Sequence, residues 1–559
     1  MAIGVPEDLA RIEAELLASG GYFAIETTEV NGASVQAFAS RARSLGELLE
    51  GSLNRADAPY FTFTDGAHER SLTFGEHAAV VGSVAAALRD QYGVQPGDRV
   101  AILAANTAEW IVTFWATVSL GAIAVGLNGW STATEIEYFL GDSEPRLLVA
   151  DAKRLARLDR RAVAAPVVEM EREFGALEEY APGAALPDVP IAEDDPAIIL
   201  YTSGTTGRPK GAVNTHRNMI AFVSMNFFGG ARTMMLHPPP PGMGPRCQLM
   251  TNPLFHVSGL HAGAVMLLAS GVRSVWLTGR FDAEVAMQVI ERERCTGWSY
   301  TETMLHRFLN HPALPNYDLT SVMSVGGGGS PIAPSIFERT RQVFPNAAPT
   351  MGYGYGQTEC AALATMNLGQ ELVDFPLSVG RPLPTVELEI RSPNDTPLAE
   401  GEEGEVCVKG PMVMPGYWRR PEENANTIRD GWLHTGDIGR MEGGRLYLSS
   451  RKRDLIFRGG ENVYPVEIEK RIEDHPAVEE CAVIGVDDPD LGQAVKAVVV
   501  AAPGATIDVE SLRAWTADAL AYYKVPAHWE VRDALPRNAA GKILKDALRT
   551  GEDAAFVEE

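Results

Sequence analysis

Short apolar runs alternate with longer stretches of helical spacing along the first third of the chain. Residues 99–104 (RVAILA) predict a strand, residues 108–120 a helix, and residues 122–127 and 146–150 (RLLVA) two further strands. Strand-like runs separated by helical segments predict an α/β fold with largely parallel sheets. Residues 110–130 carry no charge over a length that could span a bilayer. The polar and small positions within them, among them Thr113, Thr117, Ser119, Gly121 and Asn128, read instead as a buried helix running into a buried strand. Residues 382–408 and 445–449 predict antiparallel strands, turning at 392–395 (SPND) and 442–444 (EGG). A polar, basic stretch at 449–454 (SSRKRD) marks a boundary. Beyond it the pattern restarts, with a helix over 465–473, strands at 482–486 and 495–500, and a helix over 509–520. That is a small α+β unit of about a hundred residues.

Length sharpens this picture. A chain of 559 residues is too long for one hydrophobic core, so two to four domains or subdomains are expected. The net charge of −25 leaves no electrostatic footprint for nucleic acid or anionic lipid, although an ATP site would need a local basic patch. The five cysteines, Cys247, Cys295, Cys360, Cys407 and Cys481, are widely spaced and form no CxxC pair. A zinc or redox motif is not expected, and a reduced, cytoplasmic setting fits. Residues 1–17 mix acids with apolar residues as an amphipathic helix does, unlike a signal peptide. The proline-rich stretch 237–245 (HPPPPGMGP) predicts a surface loop.

The candidate chemistry begins at residues 201–213 (YTSGTTGRPKGAV), which follow an apolar strand at 197–200. Hydroxyls at Thr202, Ser203, Thr205 and Thr206, glycines at Gly204, Gly207 and Gly211, and the cation Lys210 suit a polyphosphate. Glycines let backbone N–H groups approach an anion, and lysine adds a point charge. A Walker A loop places Ser or Thr after its lysine, but here Gly211 follows Lys210. No GxGxxG follows an early strand, so a dinucleotide fold is not indicated.

This stretch resembles the phosphate loop of the adenylate-forming superfamily, which includes acyl-CoA and aryl-CoA synthetases, luciferase and peptide-synthetase adenylation domains. Other motifs follow in family order. Residues 351–359 (MGYGYGQTE) resemble the YGxTE signature, with Gly354, Tyr355 and Gly356 along adenine, Thr358 near the α-phosphate and Glu359 on Mg²⁺. Residues 325–331 (VGGGGSP) resemble the segment between adenine and the acyl pocket, bringing in Gly326, Gly327 and Gly328. Residues 432–439 (WLHTGDIG) resemble the TGD signature, which puts Asp437 on the ribose hydroxyls; Arg451 resembles the arginine that contacts ribose or phosphate. Residues 459–469 (GGENVYPVEIE), with Gly459, Gly460 and Glu461, resemble the loop that lines the thiol channel. Residues 536–545 (PRNAAGKILK) resemble the C-terminal catalytic-lysine motif and put Lys542 on the α-phosphate.

The resemblance implies a large N-terminal domain, 1–450, of stacked α/β subdomains plus a β-barrel-like subdomain. A small mobile α+β C-terminal domain, 451–559, would carry Lys542. The implied reaction is attack of a carboxylate on the α-phosphorus of ATP, loss of pyrophosphate, and transfer of the acyl group to a thiol. The C-terminal domain would rotate between the two steps. Arg453 stands where the family hinge usually has Asp or Lys. His256, in residues 252–260 (NPLFHVSGL), would gate the acyl and thiol sides. Leu254, Val257, Gly263, Ala264, Met266 and the glycines Gly326–Gly328 surround a pocket with no aspartate to meet an amino group. That pattern suggests a bulky hydrophobic acid and CoA as acceptor, with a homodimer implied by resemblance alone. The alternatives are an enzyme of one half-reaction or one loading a separate carrier protein, and a non-catalytic nucleotide-binding protein.

Overall fold

The computed structural model describes residues 7–66, 68–161, 163–202, 209–238, 244–328, 334–451, 454–458, 461–489, 491–537 and 543–551. Its first sheet has seven strands. Val167–Glu169, Leu147–Ala150, Arg99–Leu103, Ile123–Gly126 and Pro196–Thr202 run parallel in that spatial order, and Lys210–Thr215 and Gly416–Tyr417 close the edge antiparallel. A second sheet of nine strands has a parallel centre of Pro59–Thr64, Arg273–Leu277, Cys247–Met250, Gly297–Tyr300, Ser324–Gly328 and Gly352–Tyr355. Both sheets are therefore largely parallel, as the alternating pattern predicts.

The uncharged stretch at 110–130 resolves into the helix Ala108–Ser119 and the strand Ile123–Gly126. Thr107 caps the helix by accepting from the Trp110 amide, and Gly121 at φ 67° turns the chain out of it. Trp110, Phe114 and Trp115 are wholly buried, so this helix is a core element. The helix His216–Leu236 is also long and apolar enough to cross a bilayer. Its first turns are buried, and Arg217 there pairs with Glu193 and Asp194. The N-terminal amphipathic segment forms the helix Glu7–Leu16.

The antiparallel region comprises Glu387–Arg391, Gly404–Lys409, Trp432–Glu442, Ile428–Arg429 and Arg445–Arg451. Among the described residues no ladder joins Glu387–Arg391 to Arg445–Arg451. In the C-terminal part, Glu461–Val463, Ile456–Arg458, Gly492–Ala501, Val478–Asp488 and His528–Arg532 form one more sheet. The helices Pro465–Glu473 and Val509–Ala519 bury Ile468, Ile472 and Leu512 on one face, and Leu548 of the helix Lys545–Thr550 packs on the other. The loop expected at 237–245 lies partly outside the described residues.

Candidate active site

A cavity of about 1040 Å³ opens at the C-terminal ends of the two parallel sheets. Thr202 and Lys210 reach it from the first sheet, and Gly326–Gly328 and Gly354 from the second. His256, Thr358 and Glu359 border it between them. Ligands in parallel sheets are met at such strand ends, because there the loops can vary without disturbing the core.

The nucleotide motifs converge. Glu359 accepts a hydrogen bond from the Tyr417 hydroxyl at 2.8 Å, and the Thr202 hydroxyl lies 3.4 Å from the same oxygen. Burial, then the Glu359 charge, pushes the Tyr417 phenol well up, so it stays protonated and keeps donating. Lys210 pairs across the ladder with Thr202, and its ammonium sits 3.4 Å from Glu423 and over the Tyr417 ring. Asp437 accepts from the Tyr355 hydroxyl at 2.8 Å and the Gln357 amide at 2.6 Å. The resemblance gives Tyr355 to adenine; in the structure its hydroxyl holds Asp437. Arg451 lies opposite Asp437 in the strand register.

Thr358 is fixed by residues that no motif pointed to. The Asn214 amide donates to the Thr358 carbonyl at 3.0 Å, which leaves Asn214 Oδ1 to accept from His261 Nε2 at 2.8 Å. Burial, with a smaller contribution from His256, pushes His261 down to about 3. The ring is therefore neutral and holds one tautomer at working pH. Only a through-space contact reveals this chain, because 144 residues separate Asn214 from Thr358. Backbone strain collects just beyond: Ala361 and Ala362 both adopt positive φ, at 50° and 84°. A Cβ on Gly356 would lie 2.2 Å from the Ala362 carbonyl oxygen, so only glycine fits there.

The glycines of 326–328 differ in purpose. A Cβ on Gly327 would strike the Tyr300 ring at 2.7 Å, and one on Gly328 the Gly354 carbonyl at 2.7 Å. Gly326 has no neighbour nearer than 3.4 Å and leaves space in the cavity. Of the expected pocket residues, Val257 borders the cavity. Gly263 instead packs on Trp276 and Met250, and the Ala264 carbonyl accepts from Tyr60. Phe222, Asn226, Gln248, Ser299 and Leu368 line the wall instead. His256 also caps the short helix Val257–Gly259, its Nδ1 2.9 Å from the Ser258 hydroxyl.

Ser203, Gly204, Thr205, Thr206, Gly207, Arg453, Gly459, Gly460 and Lys542 lie outside the described residues. Glu461 begins a strand and pairs with Arg458. Arg537 and Ile543 form a bridge around 538–542, and Arg537 and Leu544 border the cavity.

Glu302 marks the same junction. Burial pushes it up to about 7; Arg537 offsets part of this, and Glu480 and Glu469 add to it. A carboxyl raised on folding stabilises the packed arrangement below its unfolded value, and that contribution is lost as pH rises through about 7. Glu302→Gln is therefore expected to match the parent in thermal stability near pH 5 and to exceed it near pH 8, roughly the two sides of this titration. A difference in Tm that stays constant across this range rules the assignment out.

The profile of the AMP-binding enzyme family matches residues 51–418, and that of the AMP-binding enzyme C-terminal domain matches residues 467–542. A feruloyl-CoA synthase from Amycolatopsis is 35% identical over 485 residues, covering 86% of this chain and 94% of the relative. A 3-[(3aS,4S,7aS)-7a-methyl-1,5-dioxo-octahydro-1H-inden-4-yl]propanoyl:CoA ligase from Mycobacterium tuberculosis is 35% identical over 503 residues, covering 86% and 94%. The solved structure of o-succinylbenzoate CoA synthetase from Bacillus subtilis, in complex with its acyl-adenylate intermediate, superposes with a TM-score of 0.76 at 29% identity, covering 91% of this chain and 98% of that one.

Proposed function

Because this chain belongs to the AMP-binding enzyme family and is thereby an ATP-dependent, AMP-forming acid–thiol ligase, we propose that it joins a bulky hydrophobic carboxylic acid to CoA. The observation that carries the substrate class is the wall of the cavity. Gly326 leaves open backbone in a cavity that Phe222, Val257 and Leu368 also line, and among the lining residues there is no aspartate to meet an amino group. The names of the two relatives, one acting on a feruloyl group and one on a fused-ring propanoyl group, support a broad acid over a short one.

In this reading Thr202, Lys210 and residues 203–207 hold the departing phosphates, and Asp437, oriented by Tyr355 and Gln357, holds the ribose. Thr358, fixed through Asn214, directs the α-phosphate toward the carboxylate. Positioning and fixed charge supply most of the acceleration for such a displacement. Glu359 fits a magnesium ion: one carboxylate beside the Thr202 and Tyr417 hydroxyls offers hard oxygen donors. When bound, it offsets charge on the phosphate oxygens.

The division into domains at 1–450 and 451–559, Arg453 as hinge, His256 as gate, and Gly459–Glu461 on the thiol channel belong to the same proposal. So do a cytoplasmic location, a homodimer and the absence of membrane insertion. Pyrophosphate release across a panel of acids tests the substrate class; preference for acetate or an amino acid would refute it. Gly326→Val adds bulk where space now lies, and is expected to lower kcat/KM for bulky acids by about tenfold or more while short acids change little. Steady-state kinetics with a matched pair of acids checks this.

A further inference from the structure

One polar side chain interrupts the wall of the acyl cavity without a partner. In the strand Cys247–Met250, residues Cys247, Leu249 and Met250 are buried and only Gln248 borders the cavity. It pairs in register with Gly297, which pairs with Ser324. A Cβ on Gly297 would lie 2.0 Å from Gln248 Oε1, so the glycine makes room for the Gln248 side chain to lie across it. Among the described residues neither the oxygen nor the nitrogen of this amide makes a hydrogen bond. A partly buried amide without a partner is unfavourable, and a leucine in this strand would pack at no such cost. The arrangement is one that a ligand would complete.

Its place along the sheet says which part of the ligand. Ser324, in the row of Gln248, is four residues before Gly328, so the two rows are separated by about 13 Å at 3.3 Å per residue of parallel strand. Gly328 abuts Gly354 at the nucleotide end, where the carboxylate reacts. Gln248 therefore faces the end of the acid farthest from its carboxylate. Resting on the ligase reading above, we propose that Gln248 is a specificity residue that recognises a hydroxyl or ketone oxygen on the distal ring of an aromatic or alicyclic acid. A primary amide can donate to a ketone and can both donate to and accept from a hydroxyl. A plain hydrocarbon terminus would leave it unsatisfied.

The test is pyrophosphate release and CoA-thioester formation with two matched pairs: para-hydroxycinnamic against cinnamic acid, and para-oxocyclohexylpropanoic against cyclohexylpropanoic acid. The parent enzyme is expected to favour the oxygenated member of at least one pair by about tenfold or more in kcat/KM, since a site built around a hydrogen bond rejects the analogue that lacks it. Gln248→Leu is expected to bring that ratio to within about twofold, and a thermal melt like the parent's reports that the variant is folded. If Gln248→Leu loses both acids, Gln248→Met, closer in shape, gives the same reading. Equal use of both members of each pair by the parent, or a preference that survives in the variant, overturns the role of Gln248 and leaves the ligase reading intact. Release of pyrophosphate from no acid at all overturns the ligase reading and this inference with it.

Discussion

Lys542→Ala is expected to slow acyl-adenylate formation by about two to three orders of magnitude, because it removes a fixed cation from the point where charge develops. The assignment comes from the resemblance of residues 536–545 to the family's lysine motif, and Lys542 itself lies outside the described residues. The flanking geometry favours it. Arg537 and Ile543 form a β-bridge, and Arg537 and Leu544 border the cavity. Arg537 is itself held by Glu480 at 2.6 Å. The two half-reactions should respond differently. Acyl transfer from supplied acyl-adenylate to CoA does not need this cation at the phosphate and should stay within about threefold of the parent. Single-turnover measurement of each step separates the outcomes: equal loss in both would indicate a folding defect, and an unchanged adenylation rate would refute the role.

Asp437→Ala is the second large effect. The carboxylate accepts from Tyr355 and Gln357, both on the strand end and turn that carry Thr358 and Glu359. Burial, then the Asp437 charge, raises the Tyr355 phenol far above its ordinary range, so it remains a donor. Removing the carboxylate strands two donors and takes away the proposed ribose contact. Hydrogen bonds to a charged group contribute about 1.5–3 kcal/mol each, so a loss of roughly tenfold to a hundredfold in apparent ATP affinity is expected. Asp437→Asn keeps the shape but pairs one carbonyl oxygen with both donors, and should fall between. ATP titration followed by pyrophosphate release measures both variants; an unchanged KM for ATP would remove Asp437 from the nucleotide site.

Residues 257–266 follow His256 in sequence, so Gly263 and Ala264 read as pocket wall. In the structure that stretch is a helix, and a helix turns half its residues away; Gly263 is consumed in packing against Trp276. The wall takes Val257 and Ala262 from this stretch, and other residues come from the sheet and from the helix His216–Leu236, far apart in the chain. The antiparallel region was also legible as strands, but the order in which they pair was not. Local alternation specifies a strand and its faces, while closure depends on which outer strands meet.

The sequence by itself determined the parallel α/β character and the uncharged helix-to-strand passage at 110–130, and it singled out Thr202, Lys210, Thr358, Glu359 and Asp437 as candidates for nucleotide chemistry. Those follow from local periodicity and from short runs of residues whose spacing carries the chemistry. Only the tertiary structure decided what holds these residues and what they leave open. The Tyr417–Glu359, Gln357–Asp437 and His261–Asn214–Thr358 contacts join residues 47 to 144 positions apart, and the amide of Gln248 faces the cavity because Gly297 lies beside it in the neighbouring strand. Such pairings depend on strand order and register across the sheets, and the pattern along a single strand does not encode them.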